Sequence, residues 1–225
     1  MGAGRGLGVA ALLVGLLGAA LGGGSFAYGK EAYGGSTVSS ESMTPTYEPG
    51  DRVFWERVDG SEVRRGDVVV ISMPERYGPG VVMQRVIGVG GDHVVCCTTA
   101  GTQRRVTVNG KPIAEPYVSH GDADGGYMPY DVKVPEGRLF LLGDHRAAAR
   151  DSRAFTSDHG GAIPVDAVRG RVTDSRAVPA LLVSGMIFGA VMVLVGIGLG
   201  IGAWAVRRRA RALVPPPPPW PVQPV

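Results

Sequence analysis

A mostly β, antiparallel domain held between two membrane-spanning helices is what this sequence predicts, and three observations predict it. Apolar segments lie near both ends of the 225 residues, short β-branched runs broken by Gly, Pro and Asp fill the middle, and the middle carries no helical period. That middle portion, residues 30–176, is long enough for one domain of ordinary size.

The chain opens with a short segment, residues 1–6, that carries Arg5. Residues 7–28 follow as an apolar run, closed by Lys30 and Glu31, and a run of that length can cross a bilayer as a helix. Gly15, Gly18, Gly22, Gly23 and Gly24 would weaken a helix in water, but glycine is common in membrane helices. A cleaved signal peptide is the alternative for this segment, because its basic region is short and small residues follow the apolar stretch. A retained span is the preferred reading.

Residues 177–206 are apolar throughout and run straight into Arg207, Arg208, Arg209 and Arg211. Arginines just past a span mark the cytoplasmic side. Residues 207–225 and the N-terminus are therefore expected inside, and the β domain outside, in a multi-pass protein of the plasma membrane. The tail ends in Pro215 to Pro219 and Trp220, a stiff polyproline stretch unable to form a core, expected to be disordered or a docking peptide.

The net charge of +3 comes partly from the arginine cluster, so the headgroups of the lipid bilayer explain it and no nucleic-acid partner is expected. The two cysteines, Cys96 and Cys97, are adjacent and should point to opposite faces of a strand. Two small hydrophobes are the preferred reading, and a vicinal disulfide the alternative in an oxidising compartment. No metal-ligand spacing and no cofactor motif occur. Residues 122–125, Asp-Ala-Asp-Gly, lack the glutamate and spacing of a calcium loop and read as a solvated loop.

Strands are expected at 52–58, 67–73, 81–89, 93–98, 106–109 and 138–142. Gly90-Gly91-Asp92 reads as a tight hairpin between two of them, and Asn109-Gly110 is the strongest two-residue hairpin signal in the chain.

The chemistry lies in a series of ordered boxes. Ser40-Glu41-Ser42-Met43-Thr44-Pro45 comes first, then Tyr47 to Val53, Arg65 to Val69, Arg85 to Asp92, Val108 to Pro112, and Leu142-Gly143-Asp144-His145-Arg146 through Asp151-Ser152-Arg153. Their order resembles the successive boxes of the type I signal peptidases, over roughly Gly34 to Arg171, and the Gly-Asp-His-Arg form is most similar to the actinobacterial branch. The resemblance implies a membrane-bound serine endopeptidase that removes signal peptides from exported preproteins after small residues. Signal peptides and the bilayer are then its partners, with secretion machinery or a second signal peptidase as further ones.

Residue by residue, the resemblance makes Ser42 the nucleophile and sets the Ser40 hydroxyl beside the Ser42 amide in an oxyanion hole, which acyl transfer requires. A plain turn role is the alternative for Ser40. Met43 and Pro45 would stiffen the loop, with Met43 also resting on the bilayer. Arg85, Asp144, Asp151 and Arg153 match charged positions that brace the strands, supported by Arg146 and Ser152 of the same boxes. Such pairs matter if they are buried behind the site.

Two departures concern the base. In the family a buried, neutral lysine directly precedes the arginine matched by Arg85 and takes the serine proton. This chain has Gln84 there, and a carboxamide can accept a hydrogen bond but cannot hold a proton near neutral pH. Where the family places a small hydroxyl residue to position that lysine, this chain has Ala149. The remaining lysines, Lys30, Lys111 and Lys133, lie outside that strand. His145 is the best substitute base, although a turn residue is its preferred reading, at a position where the family commonly has asparagine. Two functions follow: a working signal peptidase, or an impaired relative, a pseudoenzyme that binds signal-peptide-like segments or a partner peptidase. Loss of a general base typically costs about 10²- to 10⁴-fold.

Overall fold

The computed structural model describes residues 3–212 except 102, 127, 128, 174 and 176, so the polyproline stretch and Trp220 lie outside the described residues. Three α-helices form: α1 (Ala3–Ala32), the single turn α2 (Pro74–Tyr77) and α3 (Ala177–Ala212). The chain divides into two compact units, one made by the two long helices and the other spanning Ala32–Ser175.

Both long helices are apolar and long enough to cross a membrane, and each extends a few residues beyond the run expected from hydropathy. They pack antiparallel with their backbones in contact. A Cβ added at Gly18 would stand 2.6 Å from the Gly189 carbonyl oxygen, and one at Gly196 would stand 2.8 Å from the Gly15 nitrogen. Ser25 lies against Gly185 further along the same seam. Small residues let membrane helices approach this closely, so that van der Waals packing can hold them where no hydrophobic effect operates. The bulky side chains, among them Leu12, Leu16, Leu181 and Leu194, face outward and are exposed.

Eleven strands make up the other unit among the described residues: β1 (Tyr33–Thr37), β2 (Arg52–Glu56), β3 (Val68–Ile71), β4 (Val82–Val89), β5 (His93–Ala100), β6 (Gln103–Val108), β7 (Lys111–Pro112), β8 (Tyr130–Lys133), β9 (Arg138–Leu142), β10 (Ile163–Pro164) and β11 (Val168–Val172). All pair antiparallel, in a seven-stranded sheet of order β1-β2-β11-β3-β4-β9-β10 and a four-stranded sheet of order β7-β6-β5-β8.

β9 shows how the sequence builds two layers. Its residues alternate faces, and both faces are buried. Phe140 and Leu142 join Ile87, Val94, Val106 and Val132 in a core shared by the two sheets, while Leu139 and Leu141 join Val69, Ile71, Val86 and Ile163 in a second core. A strand buried on both sides reads as an unbroken apolar run, as Leu139 to Leu142 does.

Asn109 and Gly110 take positive φ values of 53° and 76°, the geometry of a type I′ turn, and join β6 to β7 as their residue types predict. Gly90-Gly91-Asp92 corrects the sequence reading. β4 and β5 belong to different sheets, so this turn passes the chain from one sheet to the other. Asp92 fastens it by accepting from the Val89 N–H at 2.9 Å and pairing with Arg65 at 2.7 Å. Cys96 and Cys97 are joined as a disulfide, against the preferred reading, with Cys96 buried and Cys97 half-buried. In the 122–125 loop, Asp122 accepts from the Gly125 N–H at 3.0 Å and Asp124 pairs with Arg104.

Candidate active site

After β1 the chain rises into a loop that makes one 3₁₀ turn at Glu41–Met43. The Thr44 N–H and hydroxyl both donate to the Glu41 carbonyl, at 3.1 and 2.9 Å, and the Tyr47 N–H donates to the Met43 carbonyl at 3.0 Å. Met43 is 1% exposed and roots the loop in the β domain, so its side chain does not present itself to a bilayer as the sequence reading expected. The loop holds Ser42 half-buried, its Oγ 3.0 Å from the Ser40 Oγ.

Behind the loop lies the segment that follows β9. The His145 N–H donates to the Ser42 carbonyl at 3.0 Å. Gly143 touches the same oxygen, and a Cβ there would stand 2.6 Å from it and 2.3 Å from the Ala149 Cβ. Buried Ala149 thus fills a tight corner beside the serine loop.

Gln84, on β4, is 3% exposed. Its Nε2 donates to the Arg150 carbonyl at 2.8 Å and approaches the Tyr77 hydroxyl at 3.5 Å, while its Oε1 is buried without a hydrogen-bond partner. The sequence reading allowed Gln84 to accept from Ser42. In the fold that acceptor is unoccupied, and the partner of the Ser42 hydroxyl among the described residues is Ser40. Tyr77 was not anticipated. Burial raises its phenol pKa above the usual value, more than the Gln84 hydrogen bond lowers it, so it stays protonated at neutral pH.

His145 faces away from this region. Its Nδ1 lies 3.1 Å from the Thr44 Oγ1. The Thr44 hydroxyl spends its one hydrogen on the Glu41 carbonyl, so His145 Nδ1 must be the donor in this pair. With its backbone on Ser42 and its ring on Thr44, His145 bolts the serine loop at two points.

The charged residues form two braces. Arg85 binds buried Asp144 in a two-point pair, Nε to Oδ1 at 2.8 Å and Nη2 to Oδ2 at 2.5 Å, and Thr46 of the serine loop donates to the same carboxylate. Burial would lower the Arg85 pKa, but the hydrogen bond and charge of Asp144 outweigh it and hold the guanidinium above its ordinary value. Its flat face lies 3.9 Å from the centre of the Tyr117 ring, and burial pushes the Tyr117 phenol up.

Asp151 and Arg153 make the second brace. The Asp151 carboxylate accepts from the Gly143 N–H at 3.0 Å and from Arg153 Nε and Nη2 at 2.8 and 2.7 Å. Arg153 goes on to the Asp124 and Arg146 carbonyls, both at 2.7 Å. Arg146, 1% exposed, pairs with Glu115, a residue the sequence motifs did not single out. Ser152 Oγ accepts from the Leu141 N–H at 3.0 Å and ties the last turn to β9. These bonded groups fix the 143–153 segment against which the serine loop rests.

Ser40, Ser42, Tyr77 and Gln84 line one groove of about 330 Å³, at the small end of the usual range for ligand sites. Its apolar lining includes Val53, Trp55, Val70 and Val82. Trp55 packs closely against two glycines. A Cβ on Gly34, its partner across the strand pair, would stand 2.3 Å from the indole, and one on Gly170 would stand 2.4 Å from it. His145 lies outside this lining and belongs to a separate depression with Glu41, Thr44 and Glu48.

Fold and loop together describe a β scaffold that presents a serine in a groove of mixed polar and apolar lining. The chain belongs to the signal peptidase family, peptidase S26, whose model matches residues 10–175. Signal peptidase I of Bacillus licheniformis is 36% identical over 125 residues, covering 52% of this chain and 63% of that protein. The probable signal peptidase I of Mycobacterium leprae is 31% identical over 160 residues, covering 52% of this chain and 54% of the relative. The match thus spans less than two thirds of either relative's length. A crystal structure of a signal peptidase I from Enterococcus faecalis is similar over 50% of this chain and 97% of its own, at 24% identity and a TM-score of 0.37.

Proposed function

We propose that this chain is a membrane-anchored, signal peptidase I-type protein that receives the small-residue region of signal peptides in the groove beside Ser42 and cleaves them slowly at most. Membership of the family supports the substrate class, and the groove that Ser40 and Ser42 line together with Val53, Trp55, Val70 and Val82 supports the place. In this reading α1 is retained, both long helices span the plasma membrane, and the β domain lies outside the cytoplasm.

One observation carries the reading of slow chemistry. Gln84, which the motif order sets where the family has its base, is an amide whose nitrogen is committed to the Arg150 carbonyl, and the hydroxyl of Ser42 meets another hydroxyl. Attack on a peptide carbonyl needs a group that takes the serine proton, and the deacylating water needs one too. Ser40 can donate to the developing oxyanion, but its hydroxyl is no base. His145 acts on the loop through Thr44, and its ring has no hydrogen bond to Ser42.

The test is to purify the full chain in membrane mimetics, offer it a preprotein or an Ala-x-Ala peptide, and compare wild type with Ser42→Ala, Gln84→Lys and Gln84→Lys/Ala149→Ser. Slow or absent cleavage by wild type and a gain of about 10²-fold or more in the double variant is the expected result. Rapid wild-type cleavage that Ser42→Ala abolishes would refute impairment and favour the second reading, a working signal peptidase.

A further inference from the structure

Arg150 is the one charged residue among the described residues that line the groove, and no acid balances it there. It is exposed, and its guanidinium stands 5.0 Å from the centre of the Phe155 ring. The Tyr77 ring, itself part of the lining, meets the same phenylalanine edge-on at 5.5 Å. Burial raises the Tyr77 phenol, and the Arg150 charge is among the influences that draw it back, so the cation lies within electrostatic reach of that hydroxyl. A second arginine on the ring, Arg76 at 4.9 Å, is already satisfied. It is buried, pairs with Asp158 at 2.5 Å and donates to the Gly161 carbonyl at 2.7 Å. The Arg150 guanidinium has no carboxylate or carbonyl partner among the described residues, although the backbone carbonyl of the same residue receives Gln84 Nε2.

An arginine stays charged at any working pH, and its planar fork of donors matches the two oxygens of a carboxylate. Contact with an aromatic ring restricts the side chain without using its N–H groups, so less freedom is lost when a ligand arrives. A lining with one cation and no anion also draws negative ligands in and repels positive ones. Resting on the reading of the groove as a peptide site, we propose that Arg150 makes this groove selective for peptides that carry a carboxylate, either an acidic side chain or a free C-terminal end, bound by the guanidinium near Tyr77. Arg150 is then a specificity determinant and takes no part in bond cleavage. A neutral Ala-x-Ala stretch leaves the guanidinium unpaired, and a lysine at the same place is the disfavoured ligand.

The test uses the full chain in nanodiscs of zwitterionic lipid and fluorescent Ala-x-Ala peptides in matched sets, with affinity read by anisotropy. One pair differs in its C-terminus, free acid against amide. The others are amidated and carry Glu, Gln or Lys at one position at a time, across x and the residues on either side. Wild type should bind the carboxylate member of at least one set about three- to tenfold tighter at low salt, with the advantage shrinking as salt rises. The set that shows it identifies the source, terminus or side chain. Arg150→Gln should abolish that advantage, and Arg150→Glu should transfer it to the Lys peptide. Both should keep the thermal transition in place, because the carbonyl that holds Gln84 belongs to the backbone. Equal affinities for acidic and neutral peptides in wild type, or an advantage that survives Arg150→Gln, would overturn the selectivity and leave the peptide site standing. The groove reading has its own control: Ser36→Trp should block the groove, and undiminished binding by that variant, or no binding of any peptide by wild type, would overturn the peptide site and the selectivity with it.

Discussion

Replacing Asp151 by Asn should be among the most damaging single changes in the β domain. The carboxylate is fully buried, and the Arg153 side chain paired with it is 1% exposed. Asn keeps the size and can still accept from the Gly143 N–H, but it leaves the guanidinium without its counter-charge. Breaking a buried pair by removing one partner costs about 3–5 kcal/mol. The Asp124 and Arg146 carbonyls, which also hold Arg153, set the expectation at the lower end, about 3 kcal/mol.

For a domain of this size that corresponds to a fall of roughly 6–12 °C in the thermal midpoint. Differential scanning fluorimetry of the full chain in detergent reads it. Adding Arg153→Met to Asp151→Asn should recover part of the loss, because the stranded charge is then gone. Glu56→Gln supplies the contrast, since its partner Arg171 sits 3.6 Å away with both side chains well exposed, and it should cost at most about 1 kcal/mol. If Asp151→Asn and Glu56→Gln shift the midpoint alike, the braces are not the stabilising elements described above.

Gly34→Val should push the Trp55 indole into the groove and weaken Ala-x-Ala peptide binding by about tenfold or more, read by fluorescence anisotropy; unchanged affinity would show that Trp55 does not shape the site. Paired cysteines at Ser25 and Gly185, where a Cβ on Gly185 would stand 3.4 Å from the Ser25 Cβ, should cross-link within one chain in native membranes, with migration on a gel as the readout, and absence of α1 from the mature chain would contradict its retention. The Asp158 carboxyl is held at about 2 by its hydrogen bond from Arg76, with His159 second. Its folded-state pKa is depressed, so its contribution is complete above the ordinary value of 3.8 and fades as pH falls towards 2. Asp158→Asn should flatten the stability profile in that acid window and change nothing in its shape at neutral pH.

Sequence patterning located the strands that carry dense β-branched or apolar runs, β2 to β6 and β9. It missed β1, β7, β8, β10 and β11, for more than one reason. Tyr33–Thr37 is mostly Gly, Ser and Thr, and Gly34 clears the Trp55 ring across the strand pair, a tertiary demand invisible in local propensity. Lys111–Pro112 and Ile163–Pro164 are two residues long. In Val168–Val172 the valines are interrupted by Arg169, Gly170 and Arg171, and Arg171 pairs with Glu56 and Asp67.

Much the same division runs through the site. The order of boxes singled out Ser40, Ser42, Gln84 and the Arg85 to Asp144 pair; in the fold the first three line one groove and the last two bond to each other. Tyr77, Glu115 and Tyr117 lie outside the boxes, and their importance arises only from where α2 and the 115–118 segment fold back. The Gly90-Gly91-Asp92 turn was misjudged because turn chemistry specifies a reversal and not which sheet receives the next strand.

The antiparallel contact between the first and last helices has a further consequence. In the proposed reading, with both long helices in the bilayer, the β domain is tethered at each of its ends, so one proteolytic nick in either connection would leave it hanging by the other. Release into the surroundings would require two cuts. Even a chain severed once would keep its halves together in the bilayer for as long as the glycine seam holds.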